Sequence, residues 1–219
     1  MLGVGSGLPI RLHLRNDLHL LRKAWHMMMG LMIAFIYLYS GISCTAAVFL
    51  TAFALGFDLL VETARLRIPA FNENVLKIWG PFMRSSEVDK ISGVPYYLSA
   101  TLFTIAIFPK PVAALSILYL ACGDPIASLF GILYGKRSRK IAGNKSVVGT
   151  MAGVCACILV GFVFLQSLGL PDSTVIAVSL LGGVAGGTAE LMPFDWDDNF
   201  TIPVTSGFFL WLLFILFGI

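Results

Sequence analysis

Little in this chain can build a disulfide framework or a soft-metal centre. There are four cysteines, Cys44, Cys122, Cys155 and Cys157, each inside an apolar run, and three histidines, His13, His19 and His26. Cys155 and Cys157 stand two apart, a spacing at which helical side chains do not converge, and no histidine accompanies them. They read as small core residues, and no disulfide pattern is implied. Charge is also scarce. Only 12% of the 219 residues are Asp, Glu, Lys or Arg, and a formal net charge of +3 is too small to imply a nucleic-acid partner. The opening MLGVGSGLP lacks the basic start, apolar stretch and cleavage site of a signal peptide. Residues 1–16 are therefore expected as a flexible tail, and 17–219 as one membrane domain whose first apolar run stays uncleaved. No internal repeat or low-complexity tract is visible.

Apolar residues are plentiful. They make up 58% of the chain, and a mean hydropathy of +0.87 is that of a polytopic membrane protein. Polar breaks divide the chain into seven candidate spans: Ala24–Tyr39, Ser43–Val61, Val94–Phe108, Val112–Tyr134, Val147–Leu168, Val175–Met192 and Ile202–Gly218. Backbone groups inside a bilayer must be satisfied internally, so the expected fold is all-α, a bundle of about seven transmembrane helices. Of the fifteen basic residues, all but Lys110 fall in the tail or in loops of one parity, and the positive-inside rule makes that side, with the N-terminus, cytoplasmic. The long connection from Thr63 to Gly93 mixes prolines and charges with Ile78, Trp79, Phe82 and Met83, and is expected to carry a short amphipathic helix.

The chemistry-bearing residues gather on that same side. Arg22 and His26 are four apart and Lys23 and His26 three apart, so all three can share one face of the entering helix; the plainer reading of Arg22 and Lys23 is headgroup anchoring. Asp58 and Glu62 are also four apart, material for a metal site or for pairing with a base. Asp124 lies in an apolar run between Gly123 and Pro125, where the helix is expected to break or kink. An acid in that position is a functional candidate by default, or else a cap for freed amides. Gly143-Asn144-Lys145-Ser146 leads into a helix; with Ser146 as N-cap, Lys145 and the helix-end amides would suit a nucleotide's phosphates. Finally, Glu190, Asp195, Asp197, Asp198 and Asn199 form an acidic group without a basic residue in the same loop. Its oxygen donors suit magnesium, although a solvated turn would look the same.

Three stretches taken together resemble the dolichol kinase, phytol kinase and CTP-dependent diacylglycerol kinase family. They are Arg22-Lys23-x-x-His26; Gly123-Asp124-x-x-Ala127-Ser128-x-x-Gly131 with Gly135-Lys136 and Lys145-Ser146-x-x-Gly149-Thr150; and Glu190 with Asp198-Asn199-x-x-Ile202-Pro203. The resemblance implies transfer of the γ-phosphate of CTP to a membrane lipid alcohol, either a polyprenol-, dolichol- or phytol-type isoprenoid or diacylglycerol. It further implies catalytic roles for Asp124, Asp198 and Lys145, and nucleotide binding by Asn144, Lys145, Ser146, Gly149, Lys136 and Gly131. Arg22, Lys23 and His26 would bind substrate or phosphate, and Asp124, Glu190, Asp198 and Asn199 would hold magnesium. Eukaryotic dolichol kinases are longer, so a compact member is expected, in a bacterial inner membrane or, if eukaryotic, the endoplasmic reticulum or a plastid membrane, with its site facing the cytoplasm. Two rival readings are a phosphatidate cytidylyltransferase, whose His-Gly-Gly signature is missing, and a small ion-coupled transporter, for which an inverted repeat is missing.

Overall fold

Helix starts follow the sequence's own capping residues. The side chains of Ser43, Ser92, Ser146 and Asp197 each accept from a backbone amide at the start of the helix that follows, the usual way of satisfying one orphan donor. Pro69 opens another helix at a position where no amide is needed. The computed structural model describes residues 20–143, 145–192 and 196–219. Within them run α1 (Leu20–Tyr39), α2 (Cys44–Arg67), α3 (Pro69–Trp79), α4 (Gly93–Ile107), α5 (Lys110–Tyr134), α6 (Val147–Ser167), α7 (Asp172–Thr188) and α8 (Asp198–Phe217). An antiparallel pair, β1 (Lys140–Ala142) with β2 (Lys145–Ser146), folds the basic loop back on itself, turning at Gly143, whose φ of 50° suits a residue without a Cβ. The expected tail, residues 1–16, lies outside the described residues.

The fold is that of an all-α membrane protein. Five helices, α2, α5, α6, α7 and α8, are long and apolar enough to cross a bilayer, and α4 is a shorter apolar helix. Burial separates their positions: 72% of the apolar window of α5 lies inside the protein, against 6% for α2. Helix α5 is the axis, packed against α1, α4, α6, α7 and α8, while α2 turns Phe49, Phe53 and Leu60 outward. Glycines let α7 lie directly on α6. A Cβ on Gly183 or Gly187 would run into the backbone of Ile158 or Val154, the small-residue contact typical of membrane helices.

The structure overturns the expected break in α5 and decides between the two readings of Glu62. Helix α5 is not broken at Gly123-Asp124-Pro125; it runs unbroken through Pro125. Proline there removes one amide donor but does not end the helix, which its neighbours enclose. Arg65, only 1% exposed, donates Nε and Nη2 to the two carboxylate oxygens of Glu62 at 2.7 Å each. Arg65 also binds the carbonyls of Glu87, Val88 and Lys90, and Glu62 accepts the Ser92 amide. Glu62 thus belongs to a latch that pins the α3–α4 connection rather than to a metal site. The expected amphipathic helix in that connection is α3, which buries Leu76 and exposes Phe71 and Ile78.

Candidate functional site

The polar ends of α1, α5, α6 and α8 meet at one end of the bundle. Lys145, on β2, is carried there by the hairpin immediately before α6. Its Nζ donates to Glu190 Oε2 and to Asp198 Oδ2, each at 2.7 Å. Glu190 sits on the 3-10 turn Ala189–Leu191 that ends α7, and Asp198 opens α8, so one ammonium ties three elements together. Thr150 completes the group by donating Oγ1 to Glu190 Oε1 at 2.9 Å. The Glu190 side chain is 8% exposed and that of Asp198 38%. Burial works against the charge of Lys145, but the Asp198 and Glu190 carboxylates outweigh it and hold the ammonium above the ordinary lysine range. Two of its three N–H donors are used there, leaving one for a further acceptor.

Asp124, half-buried on α5, faces the same region from the bundle axis. Its charge acts on Asp198 on one side and on Arg22, Lys23 and His26 of α1 on the other. Arg22 Nη2 lies 3.4 Å from Glu87 Oε1. His26 stands edge-on to Tyr97 with centroids 5.0 Å apart. Asn199 reaches the Gly93 carbonyl at 3.4 Å, away from the Lys145 group, and a Cβ on Gly93 would touch both Asn199 and Arg22. The motif of α1 and the acids of α5 and α8 therefore share one end of the fold, as the loop parity implied.

The loop expected to bind phosphate is less open than its sequence suggests. Ser146 caps α6, accepting from Gly149 N at 3.2 Å; Val148 N donates to Ser138 Oγ and Val147 N to the Arg139 carbonyl. The first three helix-end amides therefore already have protein partners. Gly131 and Gly149 are contact glycines: a Cβ on Gly149 would meet the Ala127 carbonyl and the Gly131 Cα. Lys136 is exposed on the 3-10 turn Gly135–Arg137 and is not brought into the Lys145 group. Asn144 and Asp195 lie outside the described residues. Among the described residues no three His, Cys, Asp or Glu side chains are grouped to hold a metal ion.

Glu87, Tyr97 and the Arg65 latch escaped the sequence reading. Glu87 is one acid in a long loop and Tyr97 one aromatic in an apolar run, so neither spacing nor periodicity marks them. Only the charge of Arg22 could have prompted a search for a partner acid. Thr150 had a signal, four residues beyond Ser146 on the same face of α6.

Known proteins with similar sequences carry consistent names. The CTP-dependent diacylglycerol kinase 1 of Eremothecium gossypii is 35% identical over 170 residues, 69% of this chain and 54% of that protein. That of Schizosaccharomyces pombe is 32% identical over 206 residues, 88% of this chain and 92% of the relative. A phytol kinase of Synechocystis is 39% identical over 103 residues, 45% of this chain and 43% of that enzyme. The chain thus spans about half the length of the first of these and nearly all of the second. No family profile matches the chain, and no solved structure does.

Proposed function

The chain belongs to the family of lipid kinases that contains the CTP-dependent diacylglycerol kinases and phytol kinase, and on that premise we propose that it moves the γ-phosphate of CTP onto the hydroxyl of a membrane lipid alcohol. The acceptor favoured by the relatives' names is diacylglycerol; the phytol kinase match favours a prenyl alcohol as the second reading. In this reading α1, α2, α4, α5, α6, α7 and α8 are the seven spans, the N-terminus is cytoplasmic, and the site faces the cytoplasm. The basic residues of the tail and of the α2–α4 and α5–α6 connections support that orientation.

The observation that carries the mechanism is the bridge from Lys145 to Glu190 and Asp198 beside Asp124. Phosphoryl transfer asks the protein chiefly for positioning and neutralisation of charge. Lys145, fixed by two carboxylates, would direct its remaining N–H at a γ-phosphate oxygen and stay cationic while doing so. Glu190 and Asp198 orient that ammonium and remove its flexibility. The donor set of Asp124, Glu190, Asp198 and Asn199 is oxygen only, which fits magnesium. Because Glu190 is already matched by Lys145 and Thr150, Asp124 and Asp198 are the residues that would hold the ion. Magnesium, when bound with the nucleotide, supplies neutralisation of the phosphate charge. Arg22 and Lys23 add positive charge across Asp124, on the side from which the acceptor would approach.

The test is a transfer assay on purified protein in detergent with magnesium, using CTP labelled separately at the γ-phosphate and at the base. Label from the γ-phosphate should appear in diacylglycerol or a prenyl alcohol. Base label in the lipid, with pyrophosphate released, would overturn the kinase reading in favour of a cytidylyltransferase.

A further inference from the structure

Helix α3 carries an apolar surface that the fold covers only in part. At about 100° per residue, Ile78, Phe71, Val75 and Trp79 follow one another around a continuous arc that runs into Leu76, while Glu73, Lys77 and Asn74 fill the opposite side. One edge of the arc meets protein. Leu76 is 6% exposed, and beside it Asn72 donates Nδ2 to the Val88 carbonyl at 3.2 Å. Val75 and Trp79 border a cavity of about 270 Å³ that they share with α1 and α2. Phe71 and Ile78 do not line that cavity, and they stay 38% and 69% exposed.

The place of α3 in the chain decides what covers them. Helix α2 is long and apolar enough to cross a bilayer, and its apolar window is only 6% buried in the protein, so its outer side, with Leu60 and Leu66 exposed, faces lipid. It ends at Arg67, and after Ile68 alone, in extended backbone, Pro69 opens α3. Helix α3 therefore starts at the level where a spanning helix leaves the hydrocarbon. Its 11 residues rise about 16 Å, roughly half of what a crossing needs. Its other end carries Trp79, packed with Trp25 and Phe82 at centroid distances of 5.2–5.9 Å, and aromatic rings of this kind favour the headgroup level of a bilayer. A short helix at that level, apolar along one side and polar along the other, buries its apolar side by lying in the membrane surface.

We propose that α3 is an in-plane interfacial helix whose partner is the lipid surface itself: Phe71 and Ile78 enter the boundary between headgroups and acyl chains in the leaflet where α2 ends, and Glu73, Asn74 and Lys77 face water. The attraction is apolar, because the polar side sets one acid, Glu73, against one base, Lys77. The assignment stands apart from the reaction proposed above. It does bear on the site, since the α3–α4 connection carries Glu87, which meets Arg22. That connection is then held on one side by the Arg65 latch and on the other by lipid.

The test is photo-crosslinking of the full chain in phosphatidylcholine nanodiscs, with p-benzoylphenylalanine placed singly at Phe71, Ile78, Glu73 or Asn74, and at the outward-facing Phe53 of α2 as the lipid-facing control. Phosphatidylcholine adducts are counted by mass spectrometry, and neither CTP nor turnover is needed. Positions 71 and 78 should give adduct yields near that of position 53 and about fivefold or more above those of 73 and 74. Adducts at 53 with none at 71 and 78, equal yields at all four positions of α3, or crosslinked dimers through 71 and 78 in place of lipid adducts would each overturn the assignment, the last in favour of a second copy of the chain. A second comparison asks whether the apolar side is what holds the helix down. With the reactive group at Phe71, Ile78→Glu should lower the lipid adduct several-fold, whereas Asn74→Glu should leave it within twofold. Equal effects of the two changes would overturn the orientation. Should Ile78→Glu fail to fold, the four-position comparison decides alone.

Discussion

Replacing Lys145 by alanine separates its structural task from its proposed chemical one. In the folded protein Nζ lies 2.7 Å from carboxylate oxygens of Glu190 and Asp198. Removing it leaves the Glu190 carboxylate, 8% exposed, with only the Thr150 hydroxyl. Breaking a buried pair by deleting one partner costs about 3–5 kcal/mol. The Lys145 side chain keeps 26% exposure and Asp198 is more exposed still, so screening brings the expected loss down to about 2 kcal/mol. For a chain of this size that is roughly 4–8 °C in unfolding midpoint. Adding Glu190→Gln removes the stranded charge and should return most of that stability. Activity should behave differently: a charge-assisted hydrogen bond to phosphate is worth about 1.5–3 kcal/mol, so both Lys145→Ala and the double variant should lose roughly 10- to 100-fold in kcat/KM for CTP. Unfolding followed by intrinsic fluorescence in detergent and γ-phosphate transfer into lipid read the two quantities on the same preparations. A stable double variant with unchanged kcat/KM for CTP would refute the phosphate role and leave Lys145 as a structural bridge.

Asp124→Asn should remove detectable transfer while leaving the unfolding midpoint within a few degrees, because α5 is held by five neighbouring helices; activity near that of the unmodified protein would take Asp124 out of the site. Arg65→Ala leaves Glu62 buried and three carbonyls without their donor, so it should lose about 3–5 kcal/mol and show as low yield or a large fall in midpoint. Gly187→Ala places a Cβ against the Val154 backbone and should destabilise by about 1–3 kcal/mol through overpacking of α6 on α7. The Lys145 ammonium is held above its ordinary range, so its contribution to stability is complete below about pH 10.4, the unfolded value, and falls only as pH rises through the higher folded one. The stability gap between Lys145→Ala and the unmodified protein should therefore stay constant from pH 6 to 9, and a gap that closes in that window would contradict the pairing.

The apolar helices were legible because their length and hydropathy leave a chain little alternative: each of the seven runs coincides with a helix of the fold, and five of those helices are long and apolar enough to cross a bilayer. The capping serine of α6 and the small-residue faces of α6 and α7 were legible for the same local reason: one residue type answers one geometric need. Asp124 misled in one respect. Gly-Asp-Pro reads as a break or a kink in isolation; α5 is the most enclosed of the five long apolar helices, and it continues through the proline without a break. Long-range pairing left no mark at all. Glu87 with Arg22, Arg65 with the carbonyls of the α3–α4 connection, and Tyr97 beside Gly30 join residues whose separation in sequence carries no period.

That unmarked set has a common purpose. Arg65 binds the Glu87 carbonyl at 3.0 Å, Glu87 Oε2 accepts the Arg84 amide at 2.9 Å, and Glu87 Oε1 faces Arg22 at 3.4 Å. Arg22 in turn lies within the field of Asp124. A buried arginine thus holds, through one loop acid, the first basic residue of the α1 motif. If the chain of contacts works as a unit, Glu87→Gln, which keeps the shape and deletes the charge, should raise the apparent KM for the lipid acceptor several-fold while leaving that for CTP unchanged. Equal effects on both substrates would mean that the loop supports the fold in general and does not set the position of Arg22.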